Sequence, residues 1–157
     1  MSVQPVPQGY HTLIPYLAVD DAAKAIEYYT KAFGAKERAR MDGPDGKIGH
    51  AELKIAGGNI MLADESPEMG HRSVQSYGGS PVSLMFYVPD VDKSFAQAIA
   101  AGGKVKNAVK DQFYGDRSGT LTDPFGLMWT IATHKEDVSV SDMQKRMEKM
   151  MAAGQNA

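Results

Sequence analysis

Apolar and polar residues change period along this chain, and they do so twice in the same order. From His11 to Val19 they alternate, with Leu13, Leu17 and Val19 on one side and Ile14 and Tyr16 on the other, which predicts a strand. Ala22, Ala25, Ile26, Tyr29 and Phe33 then recur at helical spacing. They predict a helix over Ala22–Phe33, capped by Asp20 or Asp21 and closed by Gly34. Strands are expected over Ala35–Met41, His50–Ile55 and Ile60–Asp64, with turns at Asp42–Gly46 and Ala56–Asn59. Ser66–Ser80 is rich in Gly, Ser and Pro and reads as a linker.

The second half repeats the series. A strand is expected over Val82–Val88, a cap at Asp90, a helix over Val91–Ala101 and a strand over Lys104–Val109. After a long turn come strands near Gly119–Thr122 and over Leu127–Thr133, separated by Asp123–Gly126. Nine identities recur at an offset of 69 residues, among them Asp21 with Asp90, Gly34 with Gly103 and Gly57 with Gly126. The predicted fold class is therefore α+β. It comprises two βαβββ modules, about 9–65 and 81–135, joined by a linker over 66–80. Their mixed sheets curve around a cavity with the helices outside. A last helix is expected over about 141–153, with Ser141 and Gln144 as a capping box and Met143, Met147, Met150 and Met151 in one stripe.

Composition narrows the function classes. The 157 residues fit a single domain. A net charge of -2 gives no electrostatic reason to expect nucleic acid or an anionic membrane as partner. No apolar run has the length of a membrane span, and the first residues lack a secretory signal pattern, so a cytoplasmic protein is expected. There are no cysteines, which excludes disulfides, thiolate metal sites and cysteine nucleophiles.

Several motifs carry a resemblance. Leu17–Asp21 followed by Ala25–Gly34, and Asp123-Pro-Phe-Gly-Leu-Met-Trp129, resemble the vicinal oxygen chelate superfamily of glyoxalases, bleomycin-resistance proteins and extradiol dioxygenases. Ile14-Pro-Tyr16, Ile60–Asp64 and Trp129–Val138 are most similar to its PhnB-like branch. Enzymes of that superfamily usually hold a divalent metal with one His, Gln or Glu from each of four strands. The resemblance maps those positions onto Ile14, Met61, Ser83 and Thr130, and the internal offset agrees, since Ser83 and Thr130 lie 69 residues after Ile14 and Met61. Isoleucine cannot ligate, and a thioether or hydroxyl is a poor donor for a hard dication. The resemblance thus implies the fold and a homodimer, while the residues predict no metal and no cofactor. Some relatives carry a methyltransferase label, but no glycine-rich loop follows the first strand to hold a nucleotide cofactor.

The remaining polar chemistry gathers in two places. His50 and Glu52 share a strand face opposite Ala51, Leu53 and Ile55. They read either as a ligand-binding or acid/base pair or as a solvated strand face. In the turn Asp111–Ser118, Tyr114 is placed to stack on a planar ligand and Arg117 to anchor a carboxylate or phosphate; a surface ion pair with Asp116 or a Glu is the alternative for Arg117. Tyr16, Met61, Met85, Tyr87, Met128 and Thr130 complete the expected lining. A metal-independent small-molecule-binding protein is the first functional expectation. A lyase, isomerase or dioxygenase-type enzyme centred on His50 and Glu52, either metal-free or with a metal displaced onto that pair, is the second, and a vestigial cavity the third. His11 and His71 are expected at the surface, His134 at the exit of the last strand, and Trp129 in the core.

Overall fold

A computed structural model describes residues 3–154. The elements run β1 (Tyr16–Val19), α1 (Ala22–Phe33), β2 (Lys36–Asp42), β3 (Ile48–Ile55) and β4 (Gly58–Asp64). After the connecting segment come β5 (Ser83–Tyr87), α2 (Val91–Ala100), β6 (Lys104–Asp111), β7 (Asp116–Thr122), β8 (Met128–His134) and α3 (Val140–Ala152). The sheets have the orders β1-β4-β3-β2 and β5-β8-β7-β6, each with one parallel pair and two antiparallel pairs. This is the βαβββ arrangement, twice.

The two modules repeat in their hydrogen bonds as well as their strands. Asp21 accepts from Lys24 N at the start of α1, and Asp90 accepts from Lys93 N at the start of α2, both at 3.0 Å. Asp64 Oδ1 accepts from Ala22 N at 2.8 Å, and Thr133 Oγ1 accepts from Val91 N at 2.9 Å. Each helix is thus tied to the end of the last strand in its own module. The tie satisfies a first-turn N–H that the helix leaves without an internal partner.

Each helix buries one sheet face. Ala51, Leu53 and Leu62 lie beneath α1; Leu121, Ile131 and Trp129 line the corresponding side of the second sheet. The core continues across the module boundary: Trp129 lies 5.3 Å from Tyr29 and 4.8 Å from Phe33, ring centre to ring centre. Trp129 is therefore a core residue, and its indole N–H is satisfied by Asp123 at 2.9 Å.

Some expected boundaries move. The first strand begins at Tyr16, not His11, because Pro15 has no N–H; its carbonyl still accepts from Met61 N at 2.9 Å. The seventh strand begins at Asp116, which takes Arg117 out of the turn and into the ladder opposite Asp111. The last helix is capped by Ser139, whose hydroxyl accepts from Asp142 N, and not by Ser141. No residue of α3 is fully buried, and its Met147 and Met151 are exposed.

Candidate functional site

Both helices pack on one side of their sheets, so the opposite sides are open. Strand alternation decides what each open face displays. On the first sheet these are Tyr16 from β1, His50 and Glu52 from β3, and Met61 from β4, where Met61 is the register partner of both Tyr16 and Glu52. On the second sheet they are Met85 and Tyr87 from β5, Met128 and Thr130 from β8, and Ser118 and Thr120 from β7. The expected lining residues therefore divide between two faces. Tyr16, Met85 and Tyr87 are each about half exposed, at 48%, 47% and 55%, despite their apolar surface.

On the first face, hydrogen bonds run through four side chains. Tyr16 Oη and His50 Nδ1 lie 3.0 Å apart, and His50 Nε2 lies 3.3 Å from Glu52 Oε1. Tyr10 donates its hydroxyl to Glu52 Oε2. An ionised carboxylate only accepts, so a neutral His50 carries its proton on Nε2 and accepts from Tyr16. The Tyr10 hydroxyl holds the Glu52 carboxyl below its ordinary range, with His50 adding to the effect against desolvation. Burial raises the Tyr16 phenol. Tyr10 had no signal in the local pattern, because it precedes β1 and reaches Glu52 across 42 residues of sequence.

The second face carries a cleft of about 550 Å³. Met85, Tyr114, Ser118, Thr120 and Thr130 line it, together with Lys106 and Lys110 from the outer strand β6. The Thr120 and Thr130 hydroxyls are hydrogen-bonded at 2.9 Å, and Tyr114 Oη lies 3.4 Å from Ser118 Oγ. Next to the cleft, buried Asp116 accepts from Tyr87 Oη at 2.7 Å and lies 2.8 Å from His134 Nδ1. His134 Nε2 is 3.0 Å from Asp137. Two acceptor-only carboxylates on both ring nitrogens favour the imidazolium, and the Asp116 bond is the main cause of the raised His134 pKa. The bond to Asp116 likewise raises the Tyr87 phenol.

Arg117 does not face this cleft. It points toward α2, where its Nε and Nη2 donate to the two Asp92 oxygens at 2.8 Å and its Nη1 donates to Asp111 at 3.1 Å. The strand begins one residue before it, so alternation turns Arg117 to the helix side and Asp116 and Ser118 to the open side. Its guanidinium is committed to two carboxylates, so it forms an ion pair, but with Asp92 and Asp111 and not with the expected Asp116 or a Glu. The ligand-anchor role expected of Arg117 is thus corrected.

The four positions at which the resemblance implies a metal do not fit one. Ile14 precedes β1, Met61 pairs with Tyr16, Ser83 opens β5, and the Thr130 hydroxyl is bonded to Thr120. None offers a carboxylate or imidazole. Among the described residues, no three or more His, Asp or Glu side chains gather in a way that would hold a metal ion.

The Glyoxalase/Bleomycin resistance protein/Dioxygenase superfamily model matches residues 10–131. The chain belongs to this superfamily. An uncharacterised protein of Mycobacterium bovis is 46% identical over 138 residues, covering 86% of this chain and 91% of its own. The crystal structure of an Arabidopsis thaliana gene product matches with a TM-score of 0.64 at 25% identity, over 78% of this chain and 98% of that one. The PhnB protein of Bacillus cereus has the same fold, with a TM-score of 0.62 at 17% identity, over 78% of this chain and 99% of that one. No helix among the described residues is long and apolar enough to cross a membrane.

Proposed function

We propose that this superfamily member binds a small organic molecule on its open sheet faces without a divalent metal, as a homodimer whose second copy covers those faces. The observation that carries this reading is the cleft on the second sheet. Its lining combines Met85, the Thr120–Thr130 hydroxyl pair, the aromatic Tyr114 and the cationic Lys106 and Lys110. Asn107, Gln112 and Ser118 also line the cleft, so its polar groups outnumber its apolar Met85 and Ala108 and suit a ligand that carries several hydrogen-bonding groups. Half-exposed Met85 and Tyr87 are surfaces that a ligand or a second copy would remove from water.

Three measurements test it. A thermal-shift screen of small organic molecules finds a stabilising ligand, since one present at 100 times its dissociation constant adds about 2.7 kcal/mol. The Thr130→Val and Tyr114→Ala variants lose that shift. Sedimentation at micromolar concentration gives a dimer, and metal analysis after purification gives no stoichiometric zinc, nickel or manganese. A monomer, or a bound metal lost on mutating His50 or Glu52, would overturn the reading.

A second reading has its own support. His50 and Glu52 are hydrogen-bonded to each other and flanked by two phenols. That arrangement suits proton transfer in a lyase or isomerase. Turnover that responds to His50→Gln in the absence of metal would favour it.

A further inference from the structure

The N-terminal segment crosses the open face of the first sheet as a strap. Gly9 O accepts from Asn59 Nδ2 at 2.9 Å and from Arg38 Nη1 at 3.1 Å. His11 Nε2 lies 3.1 Å from Gly57 O, in the turn that leads into the strand carrying Asn59. Between these fastenings sits Tyr10. Its ring lies beneath the Arg38 guanidinium, 4.5 Å from ring centre to Cζ, and its hydroxyl donates to Glu52.

The partners of Tyr10 belong to the sheet and not to the strap. The β2–β3 register shifts between Glu37 and Ala39, so Arg38 is the extra residue of a bulge. Bulges re-aim side chains, and here Arg38 reaches the strap. Arg38 forms no ion pair with a carboxylate within 4 Å among the described residues, leaving its planar face to the ring. Glu52 belongs to the sheet's central ladder, opposite Met61 and Ala39, and is largely shielded from water. A cation over the ring and a carboxylate at the hydroxyl are what a free phenol would require.

We propose that the Arg38–Glu52 face is a binding site for small phenols, and that the chain's own Tyr10 occupies it in the free protein. This rests on the reading that the open sheet faces bind small organic molecules, and it gives one face its ligand class. The strap makes the site self-occluded. A phenol must displace the Tyr10 ring, whereas among the described residues no side chain plugs the cleft on the second sheet in this way.

The experiment uses the full chain, with 4-methylphenol as probe and 4-methylanisole, which cannot donate a hydrogen bond, as comparator. In the Tyr10→Ala variant, NMR titration should give an affinity for 4-methylphenol at least about tenfold above wild type, because the competing ring is gone. The anisole should bind about fivefold or more weakly than the phenol, and Glu52→Leu in the same background, which removes the acceptor, should erase that preference. Equal affinity of variant and wild type, or equal binding of phenol and anisole, would overturn the proposal. Should Tyr10→Ala fail to fold, the wild type decides. Near the solubility limit of 4-methylphenol, nuclear Overhauser contacts between the Tyr10 ring and the Arg38 side chain should weaken as the strap lifts, and unchanged contacts overturn the proposal. Loss of phenol binding while thermal-shift ligands still bind the second cleft removes this inference alone. Absence of ligands on both faces removes the broader reading.

Discussion

The Tyr29 hydroxyl donates to Asp123 Oδ2 at 2.8 Å, joining the helix of one module to the Asp-Pro-Phe-Gly turn of the other. Both residues are buried. Asp123 also accepts from Trp129 Nε1, Phe125 N and Leu127 N, each at 2.9 Å. Desolvation nevertheless raises the Asp123 carboxyl above its ordinary range, and the four donors offset only part of that rise.

Removing one of those donors leaves a buried acceptor short of a partner. Tyr29→Phe should therefore destabilise the protein by about 1–3 kcal/mol. Urea denaturation with an unchanged denaturant slope checks this. A loss well below that range would mean that the cross-module bond does not hold the modules together.

Ala56 has φ of 48° in the two-residue turn between β3 and β4, followed by Gly57 at 87°. It is the one non-glycine residue with positive φ among the described residues. Two left-handed residues make the turn type that favours Asn-Gly. Ala56→Asn should stabilise by about 0.5–1 kcal/mol, because asparagine tolerates this conformation better than alanine. Thermal melting reads the gain, and an unchanged or lower Tm counts against the turn as described.

A Cβ on Gly119 would lie 2.8 Å from Phe95 Cε2 and 2.8 Å from Val109 Cγ2. Its φ is not in the left-handed region, so space alone requires glycine there. Gly119→Ala should cost about 1–3 kcal/mol through overpacking against α2. The double variant Gly119→Ala with Phe95→Leu should recover part of that loss. A neutral Gly119→Ala would show that the helix shifts freely.

His134 bridges Asp116 and Asp137, with the Tyr87 hydroxyl on the other Asp116 oxygen. Its folded pKa is raised above 6.5, chiefly by Asp116 and then by Asp137. The stability it contributes is fully present below pH 6.5 and is lost as pH rises through the raised value. The Tm difference between wild type and His134→Gln should shrink across that window. A difference that is constant, or that grows with pH, rules out the charged bridge.

Much of the fold was legible in the sequence because it rests on short-range rules. Asp21 and Asp90 cap their helices as side-chain chemistry requires, and alternation placed His50 and Glu52 on the open face and Trp129 in the core. The 69-residue offset carried the module order, and the structure adds ties at the same offset, Asp64 to Ala22 and Thr133 to Val91. The poor donor chemistry of Ile14, Met61, Ser83 and Thr130 was also plain from residue type alone.

Tertiary structure decided what depends on register and on distant contacts. Starting β7 at Asp116 turned Arg117 onto α2 and into the grip of Asp92 and Asp111; a shift of one residue exchanges the two faces of a strand. Asp116 was buried beside His134 and Tyr87 by pairing across β5, β8 and β7. Tyr10 met Glu52 and Arg38 only because the chain before β1 folds back over a sheet whose bulge aims Arg38 toward it. Local pattern records which side of a strand a residue takes, but not which remote side chain arrives opposite it, because that meeting is fixed by packing among elements tens of residues apart.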